Sequence, residues 1–159
     1  MNITGGYVEL NQDFQEFLKS FVRHNVRFLI IGGYALAAHG HPRYTKDLDV
    51  WVWPDPENAD RVLAALDEFG FGSLGLEVLD FLEPGVVVQL GREPQRIDLL
   101  TFATGLEFEQ AFENRVLVVI GGVEVPFISV GDLRTNKTAT GRLRDLADVE
   151  DLPPEDSDS

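Results

Sequence analysis

Between Phe28 and Val52 the chain reads FLIIGGYALAAHGHPRYTKDLDVWV, and this stretch limits the possible folds more than any other. An apolar run that ends on two glycines reads as a buried strand with an abrupt stop. Tyr34 to His39 is rich in alanine and reads as a short helix closed by Gly40 and His41-Pro42. DLDVWVW then alternates, which predicts a strand over residues 47–53. Two positions apart on that strand, Asp47 and Asp49 leave the same face of a sheet, with Cα atoms about 6.5–7 Å apart. Left bare, such a pair repels itself and one member resists ionising; a divalent cation held by oxygen ligands, Mg²⁺ foremost, removes the conflict. The plainer reading of an Asp-x-Asp strand is a solvated sheet face. Against it, the same face continues into Trp51 and Trp53, which are too bulky and apolar for a freely hydrated surface.

Gly32 and Gly33 sit where that first strand gives way to a helix. Glycines there let backbone N–H groups approach an anion without Cβ interference, and the helix start adds a favourable partial charge. Tight turns and close helix–strand packing demand glycine just as readily. The chain has no GxxxxGK[ST] loop and lacks the glycine spacing of a dinucleotide fingerprint. A two-metal site calls for a third carboxylate on a neighbouring strand. RIDLL supplies Asp98 between aliphatic neighbours, and EVLDFL offers Asp80 as the competitor; strand adjacency decides between them.

The rest of the chain fits around this segment as a mixed α/β (α+β) fold, a sheet with flanking helices. Phe14, Phe17, Leu18, Phe21 and Val22 recur at helical spacing over residues 11–24. Pro54-Asp55-Pro56 opens another helix, with Val62, Leu63, Leu66 and Phe69 as its stripe and Gly70 at its end. Residues 76–82 and 86–90 flank Glu83-Pro84-Gly85 like a hairpin, RIDLLTF reads as a strand, and VLVVI-GG-VEV reads as a second hairpin. Two helices close the fold, at about 130–140 and 142–152. The expected organisation is one domain over residues 1–152, with a core at about 26–126, C-terminal helices at about 129–152, and a disordered acidic tail at 153–159.

The 159 residues carry 27 Asp plus Glu against 13 Lys plus Arg, a formal charge of −14. Seven of the acids lie in residues 145–159, which hold no Lys or Arg. Such a balance argues against non-specific binding to duplex DNA or to an anionic membrane. The absence of cysteine excludes thiol nucleophiles, disulfides and Cys-ligated metals. No apolar run approaches the roughly 20 residues of a membrane span, and MNITGGYVEL has no leader pattern, so the expectation is a soluble, cytoplasmic protein. His39 and His41 flank Gly40 as turn residues rather than ligands, and Arg96, on the face of Asp98, is placed to neutralise a metal-free carboxylate. Within an eleven-residue stretch free of acids stand Arg134, Lys137, Arg142 and Arg144, and the spacing of Arg134, Lys137 and Arg144 predicts one helical face.

A hydrophobic strand, Gly32-Gly33, thirteen intervening residues and then Asp47-x-Asp49 resembles the signature of nucleotidyltransferases of the DNA polymerase β superfamily. The finer pattern GGYALAAHGHPRYTKDLDVWV, with Arg43, Thr45, Asp47 and Asp49, and the later LRTNKTATGRLRDLADVEDL are similar to the small bacterial branch that includes abortive-infection and type IV toxin nucleotidyltransferases. The resemblance implies transfer of an NMP from an NTP to an RNA end, tRNA included, or to a protein hydroxyl. It implies Mg²⁺ or Mn²⁺ on Asp47, Asp49 and Asp98. Gly32 and Gly33 would receive the β- and γ-phosphates, Arg43 and Thr45 would line the pocket, and Lys137 and Arg142 would contact the triphosphate or the acceptor's phosphates. A toxin of this branch would have a cognate antitoxin as partner. Two readings compete with it: a catalytically silent nucleotide-binding or antitoxin-like regulatory module of the same fold, and a metal-dependent phosphodiesterase.

Overall fold

The computed structural model describes residues 2–3, 10–40, 46–92 and 95–153. Its elements follow the chain as β1 (Asn2–Ile3), α1 (Gln12–Arg23), β2 (Phe28–Ile31), α2 (Gly32–Ala38), β3 (Leu48–Val52) and α3 (Pro56–Phe69). After two 3-10 turns (Gly72–Leu74 and Val78–Phe81) come β4 (Val87–Leu90), β5 (Ile97–Leu100), α4 (Phe108–Glu113), β6 (Val116–Ile120), β7 (Val123–Phe127), α5 (Val130–Thr140) and α6 (Leu143–Asp151). The strands form one mixed sheet in the order β1-β6-β7-β2-β3-β5-β4. This is the mixed sheet with flanking helices that the hydrophobic pattern predicts.

Local chemistry explains where the helices begin and end. The Asn11 side chain accepts from the Phe14 N–H at 2.8 Å and starts α1, whose Phe14, Phe17, Leu18 and Phe21 are buried against the sheet. Asp55 caps α3 by accepting from the Asn58 N–H, Pro56 occupies its first turn, and Gly70 closes it with φ of 110°. All four residues of β2, which lies between β7 and β3 in the middle of the sheet, are buried. The β6–β7 hairpin turns on Gly121 and Gly122, both with positive φ, as a tight two-residue turn requires.

Three expectations change. Residues 76–82 do not pair as a hairpin strand. Glu77 and Asp80 cap each other reciprocally and wind Val78–Phe81 into a 3-10 turn, which buries Phe81 and turns Leu79 out to 65% exposure. The antiparallel partner of β4 is therefore β5. Helix α4 and the short β1 are additions, and FEQAFE is too brief to show a helical period. Gly141, with φ of 70°, ends α5, so Arg144 belongs to α6 and cannot share one helical face with Arg134 and Lys137. The segment expected to be a disordered tail lies, apart from Pro153, outside the described residues.

Buried Asn58 ties the sheet to α3. Its Oδ1 accepts from the Arg27 N–H at 2.8 Å, and its Nδ2 donates to the carbonyls of Arg27 and Trp53 at 3.0 and 2.9 Å. One side chain thus satisfies backbone groups at the start of β2 and just beyond the end of β3. Asn58→Ala takes the acceptor from the Arg27 N–H and leaves each carbonyl one donor fewer, and should lower stability by about 1–3 kcal/mol in urea unfolding. Asp60→Ala, on the exposed side of the same helix, should change stability by less than about 0.5 kcal/mol.

Candidate active site

Strand β3 runs antiparallel to β2 and parallel to β5, and its register sets the site. Asp49 lies opposite Ile31 on one side and opposite Asp98 on the other, and Asp98 in turn lies opposite Gln89 of β4. Adjacent strands are about 4.8 Å apart, so two carboxylates leave one face as near neighbours. Asp47 stands two residues before Asp49. Asp80, the competitor from sequence, is spent on its 3-10 turn, where its carboxylate accepts from the Glu77 N–H at 2.7 Å. Further along the same face Trp51 is buried edge-on against Phe108 of α4, ring centroids 5.1 Å apart, and Trp53 stacks on the same ring. The tryptophans thus stand on a covered surface, as their bulk predicts.

Arg96 links two of the three acids. Its Nε donates to Asp98 Oδ1 at 2.8 Å, and its Nη2 reaches Asp98 Oδ2 at 3.1 Å and Asp47 Oδ2 at 2.9 Å. This is the neutralising contact expected of it. Among the described residues no three His, Asp or Glu side chains are gathered about one point, with Arg96 standing between Asp47 and Asp98.

Gly32 holds φ of 72°, and a Cβ built there would lie 2.3 Å from Asp49 Oδ2. The first glycine of the pair therefore has a reason that sequence did not reveal: the carboxylate of the next strand packs over its bare Cα. Burial, reinforced by Asp98 and then Asp47, pushes the Asp49 carboxyl up from 3.8 to about 7, with Arg96 and Lys137 offsetting part of the rise.

Of the basic residues near the C-terminus, Arg134 closes the end of α6, with Nη1 donating to the Val149 carbonyl at 3.1 Å and Nη2 to that of Leu152. Lys137 is buried, and its ammonium donates to Asp145 Oδ1 and Asp148 Oδ2, each at 3.2 Å. Arg142, largely exposed, donates through Nε to Asp145 Oδ2 at 2.6 Å. Burial favours the neutral form of Asp145, but hydrogen bonds from Thr140, Arg142 and Lys137 outweigh it and hold the carboxyl down at about 2. Sequence placed Lys137 and Arg142 at the site and missed how deeply the Lys137 cluster is buried. The three-residue step from Asp145 to Asp148 on one helix face was the available signal. His39 bonds the Ile128 carbonyl through Nε2 at 2.7 Å, in keeping with a turn residue. Arg43, Thr45 and His41 lie outside the described residues.

A mixed sheet that sets acids side by side on neighbouring strands, with a glycine turn packed beneath one of them, is consistent with a nucleotidyltransferase. The chain belongs to a family described as nucleotidyltransferase of unknown function (DUF6036), whose model matches residues 7–152. No curated protein matches it. No helix among the described residues is long and apolar enough to cross a membrane.

Two measurements probe this geometry. Between the ordinary carboxylate value and about 7, the folded chain holds the Asp49 proton that the unfolded chain has released. Its contribution to stability is complete at low pH and is lost as pH rises through about 7. In metal-free buffer the wild type should lose up to about 1.4 kcal/mol per pH unit over that window relative to Asp49→Asn, read by urea unfolding. Gly32→Ala must bear a left-handed backbone and displace the Asp49 carboxylate, and should cost about 2 kcal/mol or more.

Proposed function

We propose that this chain is a metal-dependent nucleotidyltransferase of the DNA polymerase β type, akin to the abortive-infection and type IV toxin branch. It moves an NMP from an NTP to a hydroxyl on an RNA end, tRNA included, or on a protein side chain. The observation that carries the reading is the Asp49–Asp98 register, with Asp47 on the same face and a glycine beneath Asp49. Asp98 and Asp47 raise the affinity of Asp49 for a proton, and three carboxylates on one face, with Arg96 drawn aside, would offer the oxygen donors that suit Mg²⁺ or Mn²⁺. Bound there, the metal would supply positive charge to the α-phosphoryl oxygens and lower the pKa of the attacking hydroxyl.

The protein's own groups do the remainder. Gly32 and Gly33, at the β2–α2 turn beside Asp49, are the residues we assign to the β- and γ-phosphates, and by the resemblance Arg43 and Thr45, outside the described residues, belong to the same pocket. The Lys137 ammonium and the Arg142 guanidinium oppose the charge of the triphosphate. Arg96, which bonds Asp98 and Asp47, would be released from them where the carboxylates hold a cation, and its guanidinium would then be available to the pyrophosphate. In transfer, the acceptor oxygen bonds to the α-phosphorus while the α–β bridging bond breaks. Pyrophosphate leaves with the electron pair, and the hydroxyl proton passes to one of the three carboxylates. The cytoplasm is the setting we assign, and for a toxin of this type the partner is a cognate antitoxin.

The Arg96 bridge favours a second reading, a regulatory module that binds nucleotide and transfers nothing. One assay separates the two. Each labelled NTP is incubated with the protein, Mg²⁺ or Mn²⁺, and total RNA or cell lysate, beside Asp47→Ala/Asp49→Ala. Labelled product that the double variant abolishes is expected, and its absence with all four NTPs sinks the transferase. A thermal shift by NTP and metal without transfer would establish the module. Asp98→Asn should lose both shift and transfer, whereas Asp80→Asn should keep them within about twofold.

A further inference from the structure

The cluster between α5 and α6 is costly as a mere fastening. Lys137 is only 8% exposed, and Asp145 and Asp148 are buried beside it. Moving three charges out of water for a helix–helix contact stabilises little more than well-packed apolar side chains would, and often less. Helix α6 is secured by other means as well, through the Arg134 bonds to its last carbonyls and through buried Leu152.

An ammonium has three N–H donors in tetrahedral arrangement. Two are spent on Asp145 Oδ1 and Asp148 Oδ2, and the third has no acceptor among the described residues. Asp145 is itself held, because its Oδ2 accepts from the Thr140 hydroxyl and from Arg142 Nε, both at 2.6 Å. Two acceptors, of which Asp145 is anchored, thereby limit the direction of the remaining donor.

The same lysine stands near the carboxylate face. The Ile128 N–H donates to the Ile30 carbonyl at 3.0 Å, so the segment that becomes α5 leaves the sheet beside the β2–α2 turn where Gly32 sits. Helix α5 packs against α2, and the charge of Lys137 is felt at Asp49.

We infer that Asp145 and Asp148 are positioning residues that hold the Lys137 ammonium with one N–H directed at a phosphate oxygen of the bound polyphosphate. Helix α6 is then part of the nucleotide site rather than an appendage to it. The inference deepens the transferase reading and rests on it for the identity of the ligand.

Inorganic tripolyphosphate with Mg²⁺ serves as the probe, since it presents phosphates without base, sugar or transfer chemistry. Acetylation of Lys137 by acetic anhydride is followed by mass spectrometry, with Lys19 of α1 as internal reference. In the wild type the probe should slow Lys137 acetylation at least fivefold and leave Lys19 unchanged. Asp148→Asn should acetylate faster and lose the protection. Asp148→Glu keeps the charge while lengthening the arm; it should melt as the wild type does yet be protected less than twofold, a change that a mere strut would not produce. Absent protection in the wild type, or full protection in a folded Asp148→Asn or Asp148→Glu, overturns the inference. If Asp148→Asn does not fold, Asp148→Glu decides. Protection without NMP transfer sinks the transferase and keeps the positioning role, whereas transfer without protection does the reverse.

Discussion

The rest of the molecule is arranged around a repulsion. Parallel pairing of β3 with β5 sets Asp49 directly beside Asp98, and Asp47 adds a third acid to the same face. Backbone hydrogen bonds and the apolar residues on the opposite face, Leu48, Val50, Ile97 and Leu99, fix that register, so the acids have no freedom to separate. The chain answers locally. Arg96 reaches back to two of the carboxylates, and Asp49 retains its proton to about pH 7. Gly32 yields the space of a side chain so that Asp49 can lie against the β2–α2 turn. A charge arrangement costly to the folded chain alone is what gives a small polar ligand something to relieve.

The strands that carry the acids were legible because their signals are short-range. Alternation placed Asp47 and Asp49 on one face, and aliphatic neighbours did the same for Asp98. The choice between Asp98 and Asp80 rests on which strand pairs with β3, a contact across some fifty positions of chain that no local window contains. EVLDFL misled because four residues of a 3-10 turn and four of a strand show much the same apolar–polar order; the reciprocal Glu77–Asp80 caps decide it. The glycine pair was read either for an anion or for a tight turn and close packing, and the structure shows close packing at the first glycine, with the Asp49 carboxylate as its neighbour. The basic residues of the C-terminal helices were seen as one face because their spacing is helical, but Gly141 breaks the helix between them.

Those C-terminal cations also refine the meaning of the net charge of −14. Arg134, Lys137 and Arg142 all have acceptors within the protein, and Arg96 is held by the acids it neutralises. Little of the positive charge described is arranged as an open surface for a phosphate backbone, which is how proteins capture nucleic acid without regard to sequence. A polyanion approaching the site meets Arg96, Lys137 and Arg142 already oriented by partners, so recognition there depends on fit more than on attraction from a distance.

The pairing of Asp49 with Asp98 carries a consequence in time. Strand β5 enters the sheet beside β3 only after the whole of α3 and the two 3-10 turns have been made, and α5, with Lys137, follows later still. Contacts so distant along the chain form late and together. A fragment ending before β5 lacks Asp98 and one ending before α5 lacks Lys137, so the acid face and the cation beside it are assembled only when all of these segments are present.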